Sequence, residues 1–231
     1  MKKAFKFIIG LILLPAAFYV FLGILDLLWI LLKNFKITLY FLLGGILYFL
    51  FHFFVYDFSR MYVLAHEFTH ALAAWLSGYK VNSVSVGESS GQVKVSGVNF
   101  FVVLAPYIIP LYSVALTLFY FIITLLFPSA TVYRGTFLAL LGFFTVLHLV
   151  HTYKSLTETE QNDIKMAGGG LFSFSLIVLI NAVVILLLLE LIFPGLIPIW
   201  TMLKDLVVKT YLFWQNTLVY LYKLIKSAGN F

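Results

Sequence analysis

The residues with the clearest chemical meaning in this sequence are His66, Glu67 and His70, which form an H-E-x-x-H pattern. On an α-helix, residues four positions apart lie on the same face, so His66 and His70 can present two imidazole nitrogens to one ion. Imidazole and carboxylate ligands bind Zn²⁺ at about 2.0 to 2.2 Å and leave a position for water. Bound zinc lowers the pKa of that water to about 7, and Glu67 can take its proton as general base. The pattern predicts a catalytic zinc site with one ion per chain.

The H-E-x-x-H pattern is specific. With five histidines and five glutamates among 231 residues, chance placement predicts about 0.002 occurrences. The pattern lies near the middle of an apolar run, where a charged side chain costs about 2.5 to 3.5 kcal/mol on insertion scales and marks a functional site. Glu67 needs a buried partner there, and zinc-bound water supplies one. A structural polar cluster is the alternative interpretation.

The composition places these residues in a membrane protein. Hydrophobic residues make up 63% of the chain and charged residues only 10%, and the mean hydropathy is +1.06, whereas about a quarter of the residues in soluble domains are charged. The net charge is +6, but the basic residues are scattered between apolar runs, which excludes a nucleic-acid-binding patch and fits contact with anionic lipid headgroups. Because the chain has no cysteine, disulfides and thiolate zinc sites are excluded.

Apolar runs of about 20 residues, the length that crosses a bilayer, predict an all-α integral membrane protein with about six transmembrane helices. We expect a single membrane domain over residues 1–231, with two N-terminal spans in 1–57 and a core in 58–193 that carries the H-E-x-x-H pattern. Pro106 and Pro110 should kink or break the fourth span. The six runs cover residues 7–32, 37–56, 58–77, 99–127, 134–153 and 171–193.

Two segments depart from the pattern of apolar helices. Residues 79–98 alternate valine with polar residues around a glycine-flanked turn, which predicts a β-hairpin. An open sheet edge cannot face lipid, so we expect the hairpin at the membrane interface or in a protein-lined cavity. Residues 199–227 carry polar side chains at steps of four and seven, which predicts an amphipathic interfacial helix, with a tilted seventh span as the alternative.

The sequence from Leu64 to Ala71 in an apolar helix, followed by residues 78–81 (Gly-Tyr-Lys-Val) and a glycine-punctuated hairpin, resembles the site-2 proteases, which are intramembrane zinc metalloproteases. The resemblance covers residues 58 to 112, and more loosely the helices to residue 193. It implies a three-helix catalytic core with zinc bound by the two histidines and an aspartate from a later helix. It also implies hydrolysis of membrane protein substrates in or next to their transmembrane segments. The Leu-Asp-Gly sequence that usually carries the family's aspartate does not occur in this chain.

A third zinc ligand is required because catalytic zinc sites use three protein ligands and a water. We predict that Asp163 is this ligand. It lies in the polar segment before the sixth run, and the resemblance implies an aspartate ligand from a later helix. The glycines at 168–170 would let the backbone come close to the metal. His148 and His151 are the alternative third ligands. Asp57 is a weaker candidate because it lies about 13 Å from the histidine pair along the helix axis.

The candidate substrate-binding residues lie on the hairpin and in two apolar runs. A helix hides its peptide bonds, so a transmembrane substrate must be unwound locally, and the hairpin edge could hold it as an added strand. Asparagines in the apolar runs could stabilise an oxyanion or orient that strand, with ordinary interhelical hydrogen bonds as the alternative. These candidates are Gln92, Val93, Lys94, Val95, Asn99 and Asn181.

The leading hypothesis is an intramembrane zinc endopeptidase in the cell (plasma) membrane, with the lipid bilayer and membrane protein substrates as its partners and no nucleic acid. One alternative is a non-catalytic membrane adaptor or regulator that keeps the metal site only for folding. Another is a bis-histidine haem protein that uses His52, His148 or His151 on facing helices. His52 is otherwise expected to be a hydrogen-bonded structural histidine.

Overall fold

The structure is a computed structural model that describes residues 3–88, 90–158 and 162–228. Within these residues the chain is mostly helical, with one antiparallel hairpin between the third and fourth helices. A 3₁₀ helix, Pro128–Tyr133, precedes the sixth α-helix. The elements in chain order are α1 Lys3–Lys33, α2 Phe35–Phe54, α3 Ser59–Leu76, β1 Val81–Val86, β2 Gly91–Val95, α4 Phe100–Ile108, α5 Leu111–Leu126, α6 Arg134–Glu158, α7 Asn162–Ala167, α8 Gly170–Ile192 and α9 Ile199–Ala228.

The prediction of a mostly helical chain with apolar helices long enough to cross a membrane and one small hairpin is confirmed, whereas six spans are not reached. In the part of the chain that the structure describes, four segments are long and apolar enough to cross a membrane: α1, α2, α8 and the segment 128–157 that contains α6. The predicted fourth span is broken at Ile109 and Pro110, where α4 and α5 meet at 73°, and it adds a fifth span if the pair crosses as one. The helix α3 falls short because the polar H-E-x-x-H residues lower its hydropathy.

The helix α3 has defined ends on both sides. The backbone N–H and the hydroxyl of Ser59 donate to Asp57 Oδ1 at 2.9 and 2.7 Å, so Asp57 satisfies a free group at the helix start. At the other end Gly78 adopts a φ of 79°, and the Tyr79 N–H donates to the carbonyl of Ala74. This is a glycine-terminated helix end, and it turns the chain directly into the hairpin.

Small residues let α2 and α6 pack with their backbones in contact. A Cβ atom at Gly44 would overlap the carbonyl of Ala139, and one at Gly142 would overlap the carbonyl of Phe41. Close backbone approach through glycine is a common way for helices to associate in membranes. It fixes the ends of α2 and α6 next to each other, beside α3.

The helices α1 and α9 lie outside this pair. Lys6 in α1 donates through Nζ to the carbonyl of Ala167 in α7 at 2.6 Å, and Ser175 in α8 donates to the carbonyl of Gly10 at 3.3 Å. The 30-residue helix α9 is largely exposed and contacts α1, where Trp214 Nε1 donates to the carbonyl of Ile12. The helix α9 is not among the candidate spans found in the described residues.

The hairpin lies within the predicted segment 79–98, with shorter strands. The register places Val84 opposite Val93 and Ser85 opposite Gln92, with an irregularity between Val81 and Ser83. The Gly87 N–H donates to the carbonyl of Ser90 at 2.8 Å. Since bonded and non-bonded pairs alternate in an antiparallel ladder, the Gln92 backbone groups face β1 and those of Val93 point away from it. The outer edge of β2 is therefore unpaired at Val93.

Candidate metal centre

The structure brings together the two histidines of the H-E-x-x-H pattern and Asp163. His66 and His70 lie one turn apart on α3, and Asp163 lies in the first turn of α7. Asp163 Oδ2 is 3.6 Å from His66 Nε2 and 3.3 Å from His70 Nε2. Two ligands bound tetrahedrally to one zinc ion at about 2.0 to 2.1 Å would lie about 3.3 Å apart. The three residues therefore fit a zinc ion with little movement.

Hydrogen bonds on the far side of each imidazole fix its orientation. His70 Nδ1 lies 2.8 Å from the backbone carbonyl of Val102, and His66 Nδ1 lies 3.4 Å from the hydroxyl of Tyr62. A carbonyl can only accept, so Nδ1 of His70 carries a proton. Nε2 of His70 donates to Asp163 when the imidazole is protonated and becomes free to bind an ion when that proton is lost. A histidine that ligates a metal typically has such a partner on its second nitrogen.

Asp163 is held as a carboxylate. Burial alone would raise its pKa, but hydrogen bonds from His66 and His70 outweigh burial and hold the pKa well below its usual range. The Tyr107 hydroxyl also donates to Asp163 Oδ2 at 3.1 Å. A zinc ligand has to be deprotonated, and this environment favours that form.

The short helix α7 is fixed in place from two sides. Ala167 is fully buried against α4, in a cluster that includes Val103 and Leu104. The hydrogen bond from Lys6 ties the carbonyl of Ala167 to α1. Both contacts keep the first turn of α7, and with it Asp163, against α3.

Glu67 lies beside the three candidate ligands and beneath the hairpin. Glu67 is only 7% exposed to solvent. A Cβ atom at Gly91 would lie 2.8 Å from Glu67 Oε1. The hairpin backbone therefore lies directly against the Glu67 carboxylate. Both border a cavity of about 720 Å³, which is also lined by His66, His70, Asp163, Ser90, Gln92, Val93 and Val95.

Two of the other predicted residues contact partners away from the three ligands. His148 Nε2 lies 3.0 Å from Asn181 Oδ1, and Asn181 Nδ2 donates to the carbonyl of Tyr107 at 2.6 Å. Asn181 thus makes ordinary interhelical hydrogen bonds, which was the alternative to a role in substrate binding. These bonds join α6, α8 and α4. His148 is directed at Asn181 and is not part of the group around Asp163.

Asn99 supports the site from the start of α4. Its Oδ1 accepts from the Val102 N–H at 2.8 Å, and its Nδ2 donates to the Ser77 hydroxyl at 3.1 Å. It is therefore the N-cap of α4 and links that helix to the end of α3. Since the Val102 carbonyl orients His70, Asn99 acts on the metal centre through the backbone of α4.

His151 and Asp57, the remaining alternatives for the third ligand, lie together with His52 in a separate group. The hydrogen bond predicted for His52 is not found at its buried Nδ1, which has no partner among the described residues. Sequence reasoning also missed two tyrosines at the metal centre. Tyr62 precedes His66 by four residues, a helical spacing that could have indicated it, whereas nothing in the apolar run around Tyr107 distinguishes that residue.

If the centre is catalytic, Gly91→Ala is expected to lower its activity by about 10²-fold, because the new methyl group must displace the Glu67 carboxylate and small misplacements in a catalytic site cost about that much. Gly91 has no positive φ, so the backbone accepts alanine, and metal content should not change. The measurements are metal content and, for the catalytic hypothesis, hydrolysis of a peptide. Ser85→Ala, at an exposed position on the opposite strand, is the matched control. Full activity in Gly91→Ala would contradict the close contact between the hairpin and Glu67.

Comparisons with known proteins give no relative. No family model matches the chain, and searches among curated proteins and solved structures found no significant match. A function for this chain therefore has to be argued from the geometry of the site.

Proposed function

We propose that this chain is an intramembrane zinc metalloprotease of the site-2 protease type, located in the cell (plasma) membrane. The observation that supports the proposal most is the convergence of His66, His70 and Asp163 in a cavity that also contains Glu67. In this proposal the bent α4–α5 pair crosses the membrane as one span along with the four apolar segments, which gives five spans. Tyr40 lies against Gly135 and His52 against His151, so α2 and α6 run in the same direction and only one crossing lies between them. The helix α3 therefore enters the bilayer without crossing it. The hairpin, whose residues are mostly exposed, then lies at the membrane interface, where its unpaired edge does not have to face lipid.

The chemistry follows from the residues that face the cavity. Zinc, when bound, acts as a Lewis acid on the scissile carbonyl and lowers the pKa of water. His66, His70 and Asp163 would hold the ion, and their hydrogen bonds to Val102, Tyr62 and Tyr107 keep them in place. Glu67 takes a proton from the attacking water as general base. As the carbon–nitrogen bond breaks, Glu67 returns the proton to the leaving amine.

The outer edge of β2 is suited to hold the substrate. The Val93 backbone N–H and carbonyl point away from β1, and the Val93 side chain lines the same cavity as Glu67. An extended peptide can add to such an edge through main-chain hydrogen bonds, with pockets for alternate side chains. A transmembrane helix that unwinds onto this edge would place its peptide bonds next to the metal centre.

Val93→Pro is expected to reduce cleavage by about tenfold or more, because it removes an edge N–H worth about 0.5 to 1.5 kcal/mol and its ring obstructs strand addition. The ladder to β1 stays intact, so zinc content should not change. Val84→Pro is the matched control, since Val84 is the cross-strand partner of Val93 and its N–H points to the opposite edge. Equal cleavage by both variants would show that the β2 edge does not bind substrate.

The overall proposal is tested with a panel of synthetic transmembrane peptides and the purified chain in detergent. Cleavage that chelation abolishes and added zinc restores, with fragments mapped by mass spectrometry, supports a protease. A zinc-loaded protein that cleaves no peptide of the panel favours the adaptor alternative. The haem alternative is disfavoured by His52 and His151, whose rings contact each other edge to face at 5.3 Å and leave no room for a porphyrin. Elemental analysis for iron tests it.

A further inference from the structure

Three side chains outside the proposed catalytic centre converge where α2 ends. His52 lies in the last turn of α2, Asp57 lies in the connection to α3, and His151 lies in α6. His52 Nδ1 is 3.8 Å from Asp57 Oδ1, and one nitrogen or oxygen from each of the three residues lies within 4.8 Å of the others. The backbone contact between α2 and α6 brings the two histidines together.

One buried imidazole nitrogen of each histidine in this group lacks a partner in the part of the chain that the structure describes. His52 Nδ1 and His151 Nε2 are both buried, and neither has a hydrogen-bond partner among the described residues. His151 is only 2% exposed. Buried polar groups in proteins are nearly always hydrogen-bonded or bound to an ion, so two unpaired nitrogens that face one carboxylate indicate a ligand that joins them.

Packing holds the two rings in position and leaves one side open to solvent. The Tyr48 ring stacks on His52 at 5.3 Å, and the Tyr62 ring stacks on His151 at 5.1 Å. Ser59 donates twice to Asp57 Oδ1, while the Asp57 side chain remains 63% exposed. The group thus has two fixed nitrogens, one adjustable carboxylate and access from water.

We propose that His52, Asp57 and His151 form a second metal site, which binds one divalent transition-metal ion of the Zn²⁺ type. Two imidazoles and one carboxylate favour Zn²⁺ or Co²⁺ over Ca²⁺ and Mg²⁺, which take oxygen ligands. Tetrahedral zinc ligands lie about 3.3 Å apart, and rotation of the exposed Asp57 carboxylate closes the 3.8 Å separation from His52. Water completes the coordination.

The second site is connected to the first through Tyr62. The Tyr62 ring stacks on His151, and its hydroxyl lies 3.4 Å from His66 Nδ1. An ion held by His151 would therefore fix the tyrosine that orients His66. The proposal does not depend on protease activity, because its prediction concerns metal content alone.

Metal stoichiometry of the full chain tests the second site. Detergent-purified protein is equilibrated with Zn²⁺, freed of excess metal and measured by inductively coupled plasma mass spectrometry. We expect two ions per chain in the unaltered protein and one in Asp57→Ala, whose helical content is checked by circular dichroism because the variant also loses the hydrogen bonds from Ser59 at the start of α3. Asp205→Ala, another exposed aspartate, is the matched control and should keep two ions. The double variant His66→Ala/His70→Ala should keep one ion. Adding Asp57→Ala to this double variant should remove that ion.

A single zinc ion per chain that Asp57→Ala retains would overturn the second site, as would two ions that Asp57→Ala retains. A single ion that Asp57→Ala loses and His66→Ala/His70→Ala keeps would support the second site and contradict the first. The same experiment separates the two proposals. Loss of the ion in Asp57→Ala with peptide cleavage retained supports the second site whatever the role of the first. If His66→Ala/His70→Ala does not fold, His52→Ala in the otherwise unaltered chain gives the answer, with one ion expected and two contradicting the site.

Discussion

Glu67→Gln is expected to abolish peptide cleavage while the metal content stays that of the unaltered chain. Glutamine has nearly the same shape as glutamate but cannot accept a proton, and removal of a general base typically costs 10² to 10⁴-fold in rate. Glu67 contributes no atom to the group formed by His66, His70 and Asp163, so zinc should remain bound. The measurements are kcat/KM on a transmembrane peptide and zinc per chain.

Glu88→Gln is the matched control for Glu67→Gln. Glu88 is an exposed glutamate in the turn of the same hairpin and does not line the cavity, so both cleavage and zinc binding should be unchanged. Turnover retained in Glu67→Gln would remove the general-base mechanism. Loss of zinc together with turnover would mean that Glu67 supports the metal site and would leave its role in proton transfer without support.

Asp163→Ala is expected to weaken zinc binding at the first site by at least about 10²-fold, since loss of an outer-shell partner alone costs 10 to 100-fold. Cleavage should be lost with the ion. Competition titration against a chelator measures the affinity. Asn162→Ala, the exposed neighbouring residue in α7, is the matched control and should bind zinc normally.

His148→Ala tests the alternative third ligand. His148 Nε2 lies against Asn181 in the structure, so the variant should keep zinc at the first site. If His148→Ala loses this zinc and Asp163→Ala keeps it, three histidines hold the ion. The resemblance to site-2 proteases would then be limited to the H-E-x-x-H helix.

The parts of the fold that repeat at short range could be predicted from the sequence. The four-residue spacing of His66 and His70 gives one helix face, and the alternating valines give the hairpin. Pro110 correctly indicated a break in the fourth apolar run. The family resemblance and the zinc ligand count together predict Asp163 as the third ligand. The structure places Asp163 beside both histidines.

The parts that depend on distant segments could not be predicted. His52 and His151 meet because glycines in α2 and α6 allow backbone contact, and no local periodicity encodes which helices pair. The roles of Tyr107 and of the Val102 carbonyl likewise arise only when α4 packs against α3 and α7. The prediction that the third apolar run forms a span overestimated the hydropathy of α3, because the polar residues of the H-E-x-x-H pattern lie inside that run.

The hydrogen bond from Lys6 to Ala167 bears on where the functional unit ends. Judged by motif alone, that unit would start at residue 58, and α1 would be a dispensable membrane anchor. Yet α1 holds the end of the six-residue helix that carries Asp163, so a fragment starting at residue 58 would leave that ligand with one support fewer. The first helix thus supports the short helix that carries Asp163, and a shortened chain intended to keep the three candidate ligands together should include it.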